Sequence, residues 1–305
     1  MIRIALVGIG KIAVDQHVPA ILASSDWDLA ATVSRHGFVE GIPAHDDLGR
    51  LLAGRPDIRV VSLCLPPVPR FAAAAAALNA GRHVMLEKPP GATLSECHAL
   101  EALARRHRVA LYATWHSREA AGVAAARDWL SDRTLRRLHV TWKEDVRRWH
   151  PGQDWIRQPG GLGVFDPGIN ALSIVTSILP EPIHVTRAEL EVPANWQTPI
   201  AARLDFHHPG GAEVRADLDF RSRADVWTIE AETDAGTMVL SEGGARLTVD
   251  GVEQAHGPNR EYPRLYANMT RLVAEGGIDM DLAPMRHVAD ALALGARHPV
   301  AAFDI

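Results

Sequence analysis

The side chains at positions 88, 166 and 170 have types and spacings that suit proton transfer. Asp166 and Asn170 are four residues apart, so in a helix they lie on one face. A carboxylate beside an amide suits binding and deprotonating a hydroxyl group. Because Asp166 precedes Pro167, it could equally be the N-cap of a helix. The sequence therefore offers Asp166 as a catalytic base or as a helix cap and leaves both open.

Lys88 follows a short apolar segment in the run Glu87-Lys88-Pro89-Pro90. Residues directly after a strand of an open α/β sheet lie at the edge where ligands bind. A lysine there can hold a substrate hydroxyl, favour its alkoxide, or pass a proton. Composition alone would also allow an ordinary lysine of a surface loop.

A glycine-rich turn, Gly8-Ile9-Gly10-Lys11-Ile12-Ala13, has the G-x-G-x-x-A pattern of a dinucleotide site. Gly8 permits a tight turn, Gly10 lets the backbone approach a pyrophosphate, and Ala13 permits close helix–strand packing. The helix that follows offers free N–H groups to phosphates, although a bare turn remains an alternative. The predicted cofactor site also includes residues that follow other predicted strands: Cys64, Leu65, Pro66, Pro67, Glu87 and Lys88.

The second predicted strand ends in Ser34-Arg35-His36, without the acid that an NAD-specific site uses for the ribose 2′-hydroxyl. Ser34 can donate a hydrogen bond to a 2′-phosphate, and Arg35 can pair with that phosphate or stack on adenine. We therefore expect NADP to be accepted and NAD to be used as well. The alternative for Arg35 is an exposed loop arginine.

Tryptophans are concentrated in one segment, since five of the eight fall within residues 115–155. The run Trp142-Lys143-Glu144-Asp145-Val146-Arg147-Arg148-Trp149-His150 mixes indoles with hydrogen-bonding groups. Sugars need that mixture, an aromatic plane for a ring face and polar groups for hydroxyls. Core packing would explain several of these indoles as well, and His116 and His150 could be structural histidines.

The elements that must position these residues fall into two halves. The first half alternates apolar strands with helical segments, which predicts a doubly wound parallel sheet covered on both faces. After residue 117, longer strands with alternating polarity predict an α+β domain with a large, open, mostly antiparallel sheet. The predicted domains are residues 1–117, binding NAD(P), and residues 118–305, for substrate and oligomerisation. Ser95 is the predicted N-cap of the helix that ends near residue 106.

Composition narrows the function classes. The 305 residues are 47% hydrophobic and 23% charged, which argues against a disordered or fibrous protein. A net charge of −5 gives no support for binding nucleic acid or an anionic membrane. The two cysteines, Cys64 and Cys97, form neither a zinc motif nor a disulfide framework. We expect a soluble, cytoplasmic protein without a metal, as a monomer or homodimer.

The glycine-rich turn, Glu87-Lys88-Pro89 and residues 160–170 together resemble the glucose–fructose oxidoreductase/inositol dehydrogenase/MocA (Gfo/Idh/MocA) family. The resemblance covers essentially the whole chain and implies a Rossmann domain followed by an α+β domain. The family's motif lysine corresponds to Lys88 and its helix-start aspartate to Asp166. The family usually has histidine four residues later, where this chain has Asn170, and that departure moves the base role to Asp166 or Lys88.

Residues 86–94, 113–118, 142–155 and 160–176 resemble more narrowly the bacterial aldose 1-dehydrogenases of the arabinose/galactose branch, which share the asparagine. This resemblance implies oxidation of the C1 hydroxyl of L-arabinose, D-galactose or D-fucose to an aldonolactone with NAD(P)+. Asp166 would accept the proton, and Lys88 and Asn170 would orient the oxygen. Five residues would shape the sugar pocket: His116, Glu144, Trp149, His150 and Trp227. Alternatives are another sugar or inositol dehydrogenase and a non-catalytic NAD(P)-binding sensor.

Overall fold

The structure, a computed structural model, describes all 305 residues. The strands are β1 (Ile2–Val7), β2 (Trp27–Val33), β3 (Ala44–His45), β4 (Val60–Leu63), β5 (His83–Leu86), β6 (Leu111–Ala113), β7 (Leu135–Asp145), β8 (His184–Pro193), β9 (Ala201–His207), β10 (Glu213–Asp219), β11 (Arg221–Thr233), β12 (Gly236–Ser241), β13 (Arg246–Val249), β14 (Val252–His256), β15 (Ile278–Asp279) and β16 (Ala296–Val300). The α-helices are α1 (Val18–Leu22), α2 (Leu48–Gly54), α3 (Pro67–Asn79), α4 (Leu94–His107), α5 (Val123–Leu130), α6 (Val146–Trp149), α7 (Phe165–Ile178), α8 (Glu261–Glu275) and α9 (Ala283–Leu294). A π-helical turn, Ala13–His17, leads into α1, and 3₁₀ turns span His116–Glu119, Asp154–Arg157 and Glu242–Gly244.

The chain divides into two compact units. The first contains Met1–Trp115 and Tyr262–Asp281, and the second contains His116–Glu261 and Leu282–Ile305. The sequence places the boundary at 117/118 and assigns everything after it to the second domain. The structure differs, because residues 262–281 return to the first unit and add most of α8 and all of β15 to it. Helix periodicity alone does not tell which sheet a helix covers.

The first unit is a doubly wound parallel sheet with the strand order β3-β2-β1-β4-β5-β6-β15. The side chains of β1 explain its layers, because Ile4 and Leu6 join one core cluster and Ala5 and Val7 join another. Helix α8 covers the Ile4 face, whereas α3 and α4 cover the opposite face. Helix α4 begins with a capping box between Thr93 and Glu96, so the predicted cap at Ser95 is wrong by two residues.

The second unit is built on a nine-stranded sheet with the order β14-β13-β12-β11-β7-β10-β9-β8-β16. Only β10–β7 and β16–β8 are parallel pairs, as expected for a mostly antiparallel sheet. Its buried face packs on helices such as α7 and α9, and its other face carries cross-strand ion pairs, including Arg203–Asp217 and Arg215–Asp205. The predicted fold class, a Rossmann α/β domain plus an α+β domain with a large open sheet, is confirmed. None of the helices is both long and apolar enough to cross a membrane.

Candidate active site

The turn after β1 is shaped by two glycines with different surroundings. Gly8 has φ +88°, and a Cβ there would lie 3.0 Å from the backbone nitrogen of Leu65. Any larger residue at position 8 would therefore be strained and would push away the loop that follows β4. A Cβ at Gly10 would meet nothing within 4 Å. The turn thus combines a tight bend with open space at Gly10, the fit that a pyrophosphate requires.

The loop after β2 is held by the hydroxyl of Ser34. Its Oγ accepts hydrogen bonds from the backbone N–H of Gly37 at 3.1 Å and of His36 at 3.4 Å. A Cβ at Gly37 would lie 2.3 Å from the carbonyl oxygen of Ile9, so the loop is pressed against the glycine-rich turn. Arg35 is exposed, and residues 34–36 contain no carboxylate. A 2′-phosphate would meet no repelling charge from these residues.

The loop that carries Lys88 is tied to the loop after β4 by Arg70. This arginine is only 2% exposed, and its guanidinium group donates to the carbonyl oxygens of Leu65, Glu87 and Pro89. A guanidinium group presents several N–H donors in a fixed fork, so one side chain can serve several acceptors. Arg70 therefore brings two predicted cofactor segments together at the carboxyl ends of β4 and β5.

Glu87 is buried in a network of hydrogen-bonding side chains of the first unit. Its Oε1 accepts from the hydroxyl of Tyr262 at 2.8 Å and contacts Nε2 of His17 at 3.1 Å. Its Oε2 accepts from the backbone N–H of Lys88 at 2.9 Å. His17 Nδ1 lies 2.7 Å from the hydroxyl of Tyr266. Burial opposes charge on His17, but Cys64, Tyr266 and Glu87 together outweigh it and raise the pKa of His17 well above its usual value.

In the second unit, Asp166 lies in the first turn of α7. A Cβ at Gly163 would lie 2.2 Å from the carbonyl oxygen of Pro199. Only glycine therefore lets the chain just before the helix pass this close to Pro199. The helix begins at Phe165, and its N-cap is Val164 without a side-chain hydrogen bond. The interpretation of Asp166 as the N-cap is therefore wrong, because Asp166 lies beyond the cap position and is only 4% exposed. Asn170 follows one turn later in the same helix.

Asp166 Oδ2 lies 3.3 Å from Nε2 of His150. The other ring nitrogen of His150, Nδ1, lies 3.2 Å from the side-chain oxygen of Gln153. The ring also packs edge-on against Phe220, with 5.6 Å between ring centroids. A buried carboxylate beside an imidazole can accept and release a proton.

The tryptophans near this segment form a cluster with an acid. Trp227 Nε1 donates to Oε2 of the buried Glu144 at 2.9 Å, and its ring centroid lies 5.6 Å from that of Trp149. Trp149 Nε1 donates to Asp225 at 3.3 Å. Trp142 also packs on Trp227, at 6.2 Å between centroids, and is 4% exposed. The structure thus brings three predicted sugar residues together, while Trp142 is part of the core.

His116, another predicted sugar residue, is paired with an acid. Its Nδ1 lies 2.6 Å from Oε2 of Glu261 and 3.3 Å from the hydroxyl of Ser117. A hydrogen-bonded acid of this kind orients an imidazole ring. A role for His116 toward the sugar stays a prediction.

Comparison with known proteins places this geometry in a family. Residues 2–114 match the model of an oxidoreductase family with an NAD-binding Rossmann fold, GFO_IDH_MocA. Galactose 1-dehydrogenase of Pseudomonas fluorescens is 45% identical over 303 residues, which is 99% of this chain and 98% of that protein. The chain belongs to the Gfo/Idh/MocA oxidoreductase family. The expectation of a nicotinamide cofactor domain is thereby confirmed.

Solved structures agree with this membership. A D-galactose-1-dehydrogenase protein from Rhizobium etli has 53% sequence identity and a TM-score of 0.95, covering 99% of this chain and 98% of its own. A 3-ketoreductase from Actinomadura kijaniata, solved with NADP and TDP-benzene, has a TM-score of 0.84 at 18% identity, covering 98% of this chain and 99% of its own. The latter likeness shows a shared fold alone.

The sequence did not predict several residues that make contacts at the site. Arg70, His17 and Tyr266 are absent from the predicted set, although Arg70 contacts two loops within it, His17 contacts Glu87, and Tyr266 contacts His17. One signal was available, because Arg70 is the single charged residue in helix α3, which is otherwise apolar up to Asn79. Gln153 and Trp155 were also missed, since their side chains matter only through their contacts with each other and with His150.

Proposed function

We propose that this chain is an aldose 1-dehydrogenase that oxidises the C1 hydroxyl of L-arabinose, D-galactose or D-fucose to the aldonolactone, with NAD(P)+ as the acceptor. The observation that carries the proposal is the buried Asp166 carboxylate beside His150, with the Asn170 amide one helical turn further on. The similarity to two galactose 1-dehydrogenases along the whole chain supports this sugar class.

The chemistry suits a carboxylate base. The anomeric hydroxyl of a pyranose is more acidic than an ordinary alcohol, so Asp166 can accept its proton without an unusually strong base. Asn170 orients the C1 oxygen as an amide, and a role for Lys88 as a mobile cationic donor to that oxygen stays a prediction from the sequence. When bound, the nicotinamide supplies the acceptor for the hydride from C1.

The glycine-rich turn, the loop after β2 and the loop that Arg70 ties down hold the cofactor. Since residues 34–36 lack a carboxylate, we expect both NAD and NADP to be used. Arg35→Ala should raise the KM for NADP about 10- to 100-fold, because a hydrogen bond to a charged group contributes about 1.5–3 kcal/mol. The KM for NAD should change less than about twofold. Equal effects on both cofactors would show that Arg35 does not contact the 2′-phosphate.

Recognition of the sugar falls to the tryptophan cluster, in which Trp149 and Trp227 offer aromatic planes and Glu144 accepts from hydroxyls. L-Arabinopyranose is D-galactopyranose without its C6 group, and the ring hydroxyls match. One such group discriminates by only about 1–3 kcal/mol in a pocket. A pocket for one sugar therefore accepts the other unless it blocks or rewards C6.

The test is reduced-nicotinamide formation with L-arabinose, D-galactose, D-fucose, D-xylose, D-glucose and myo-inositol, each with NAD and NADP. Rapid oxidation of the first three alone is expected, and their ranking measures the preference at C6. Turnover of myo-inositol or D-glucose instead would replace the proposal with another dehydrogenase of the family. Cofactor binding without any turnover would favour a sensor.

A further inference from the structure

We propose that Asp166 and His150 bind one proton as a pair, and that Gln153 and Trp155 enforce this by fixing the tautomer of His150. The proposal rests on the proposed function and deepens it, because it makes the pair, rather than Asp166 alone, the group that takes the substrate proton. His150 and Gln153 are then positioning residues that act through Asp166.

The argument begins at the side-chain amide of Gln153. Trp155 Nε1 lies 3.2 Å from the Oε1 atom of Gln153. An indole N–H can only donate, so the amide atom that faces it must be the oxygen. The same oxygen lies 3.2 Å from Nδ1 of His150. An amide oxygen can only accept, so Nδ1 of His150 must carry a hydrogen and donate it.

The tautomer determines what His150 presents to Asp166. A neutral imidazole has a single N–H, and here that N–H is on Nδ1. Nε2 therefore presents a lone pair to Asp166 Oδ2 at 3.3 Å. Two acceptors facing each other at this distance repel unless a proton lies between them. The side chains are 14% and 6% exposed, so water screens this repulsion poorly.

This geometry consequently suits a single proton held between Asp166 Oδ2 and His150 Nε2. In sugar oxidation the O–H bond at C1 breaks, and the proton forms a bond to an Asp166 oxygen, where His150 Nε2 shares it. The electron pair of that O–H bond remains on the C1 oxygen and forms the second bond of the lactone carbonyl, while the C1–H bond breaks and its electron pair leaves with the hydride for NAD(P)+. The proton passes to solvent when the product leaves.

Aromatic side chains pack against the His150 ring in the second unit. The His150 ring makes T-shaped contacts with the uncharged rings of Phe220 and Trp155. The charged side chains of neighbouring elements are hydrogen-bonded to partners outside the pair: Glu144, Asp145, Arg148, Asp154, His116 and Arg118. The position of the hydrogen on the His150 ring is therefore set by its contact with Gln153.

A direct test is ¹⁵N NMR of the histidine rings in the full-length protein with bound cofactor and no sugar, titrated with pH. His150→Asn assigns the His150 signals among the 15 histidines. At high pH we expect hydrogen on Nδ1 and none on Nε2, and Gln153→Leu should shift this toward hydrogen on Nε2. A wild-type ring with hydrogen on Nε2 alone would overturn the proposal, whether or not sugars are turned over.

The second test is the pH dependence of kcat/KM in two variants with opposite expected effects. In Gln153→Leu the hydrogen is no longer held on Nδ1 of His150. A neutral His150 can then carry it on Nε2 and donate it to an ionised Asp166, so the pH at half-maximal kcat/KM should move about one unit lower. Gln153→Glu stabilises the imidazolium form and should move it about one unit higher. The exposed Gln158→Leu is the matched control. A loss of kcat/KM without opposite shifts would show a merely structural Gln153.

These outcomes separate the pair from the sugar assignment. The expected ¹⁵N pattern in a protein that oxidises no aldose would retain the pair and reject the proposed function. The opposite result, aldose oxidation with hydrogen only on Nε2, would retain the proposed function and leave Asp166 as the base by itself.

Discussion

Each unit of this protein contains a buried imidazole–carboxylate pair. His17 Nε2 lies 3.1 Å from Glu87 in the first unit, and His150 Nε2 lies 3.3 Å from Asp166 in the second. The two contacts are alike in distance, although the His17 side chain is fully buried and that of His150 is 14% exposed, and the partners of the other ring nitrogens differ. His17 Nδ1 meets the hydroxyl of Tyr266, whereas His150 Nδ1 meets the amide oxygen of Gln153.

This difference distinguishes the His17–Glu87 pair, which anchors the loop of Lys88, from the His150–Asp166 pair, for which we propose a role in proton transfer. A hydroxyl can donate or accept, so Tyr266 suits His17 in either protonation state. An amide oxygen can only accept, so Gln153 forces the lone pair of His150 toward Asp166. Glu87 also accepts from the backbone N–H of Lys88, which anchors the main chain. A buried imidazole–carboxylate contact is therefore not by itself a sign of catalysis, and the third partner decides.

The largest expected effect that distinguishes the pairs is on turnover by Asp166→Asn. We expect kcat to fall about 10²- to 10⁴-fold, the range that general acid–base catalysis contributes. The free energy of unfolding should change by no more than about 1 kcal/mol, since the new amide can donate to His150 Nε2. Steady-state kinetics and urea unfolding measure the two, with the exposed Asp154→Asn as the control. Near-normal kcat would end the base assignment.

Glu87→Gln should have its main effect on stability. Removing one partner of a buried pair leaves His17 uncompensated, and we expect unfolding to become easier by about 3 kcal/mol. Turnover should also fall, because the backbone of Lys88 loses its anchor. Urea unfolding of this variant beside Asp166→Asn gives the comparison. If Glu87→Gln were the more stable of the two, the assignment of the pairs would be reversed.

Tyr266→Phe tests the contribution of the Tyr266 hydroxyl, which can donate to or accept from His17. Losing the hydroxyl leaves Nδ1 of His17 buried without this hydrogen bond, at a cost of about 1–3 kcal/mol in the free energy of unfolding. The pH at half-maximal kcat/KM should stay unchanged, in contrast to the Gln153 variants. A shift of that pH by Tyr266→Phe would place the first pair in the proton chemistry.

The smallest expected effect is a pH dependence of stability from His17. Because its folded pKa is raised, its contribution is fully present below the unfolded value of 6.5 and is lost as pH rises through the folded value. One proton allows at most about 1.4 kcal/mol per pH unit. Unfolding of the wild type and His17→Gln from pH 6 to 9 should show a difference that shrinks with rising pH. A difference that grows instead would contradict the raised pKa.

Much of the fold was predictable from local patterns. The strands of the first unit are continuous apolar runs between turn residues, and β9 alternates polar and apolar side chains as predicted for the strands after residue 117. Short or exposed elements were missed, such as β3, β14 and β16. The two residues of β3 are too few to show an alternating pattern. Strands β14 and β16 are largely exposed, so their sequences contain no apolar face that would indicate a strand.

By itself the sequence determined the glycine-rich turn, the absence of an acid at 34–36, and the placement of Asp166 and Asn170 on one helical face, because each depends on residues close together in the chain. Only the tertiary structure decided that Tyr262 and Tyr266 join His17 and Glu87 across the first unit, and that Asp166 faces His150 rather than capping α7. Those contacts join residues from 16 to about 250 positions apart, and local propensity carries no information about partners that chain folding alone brings together.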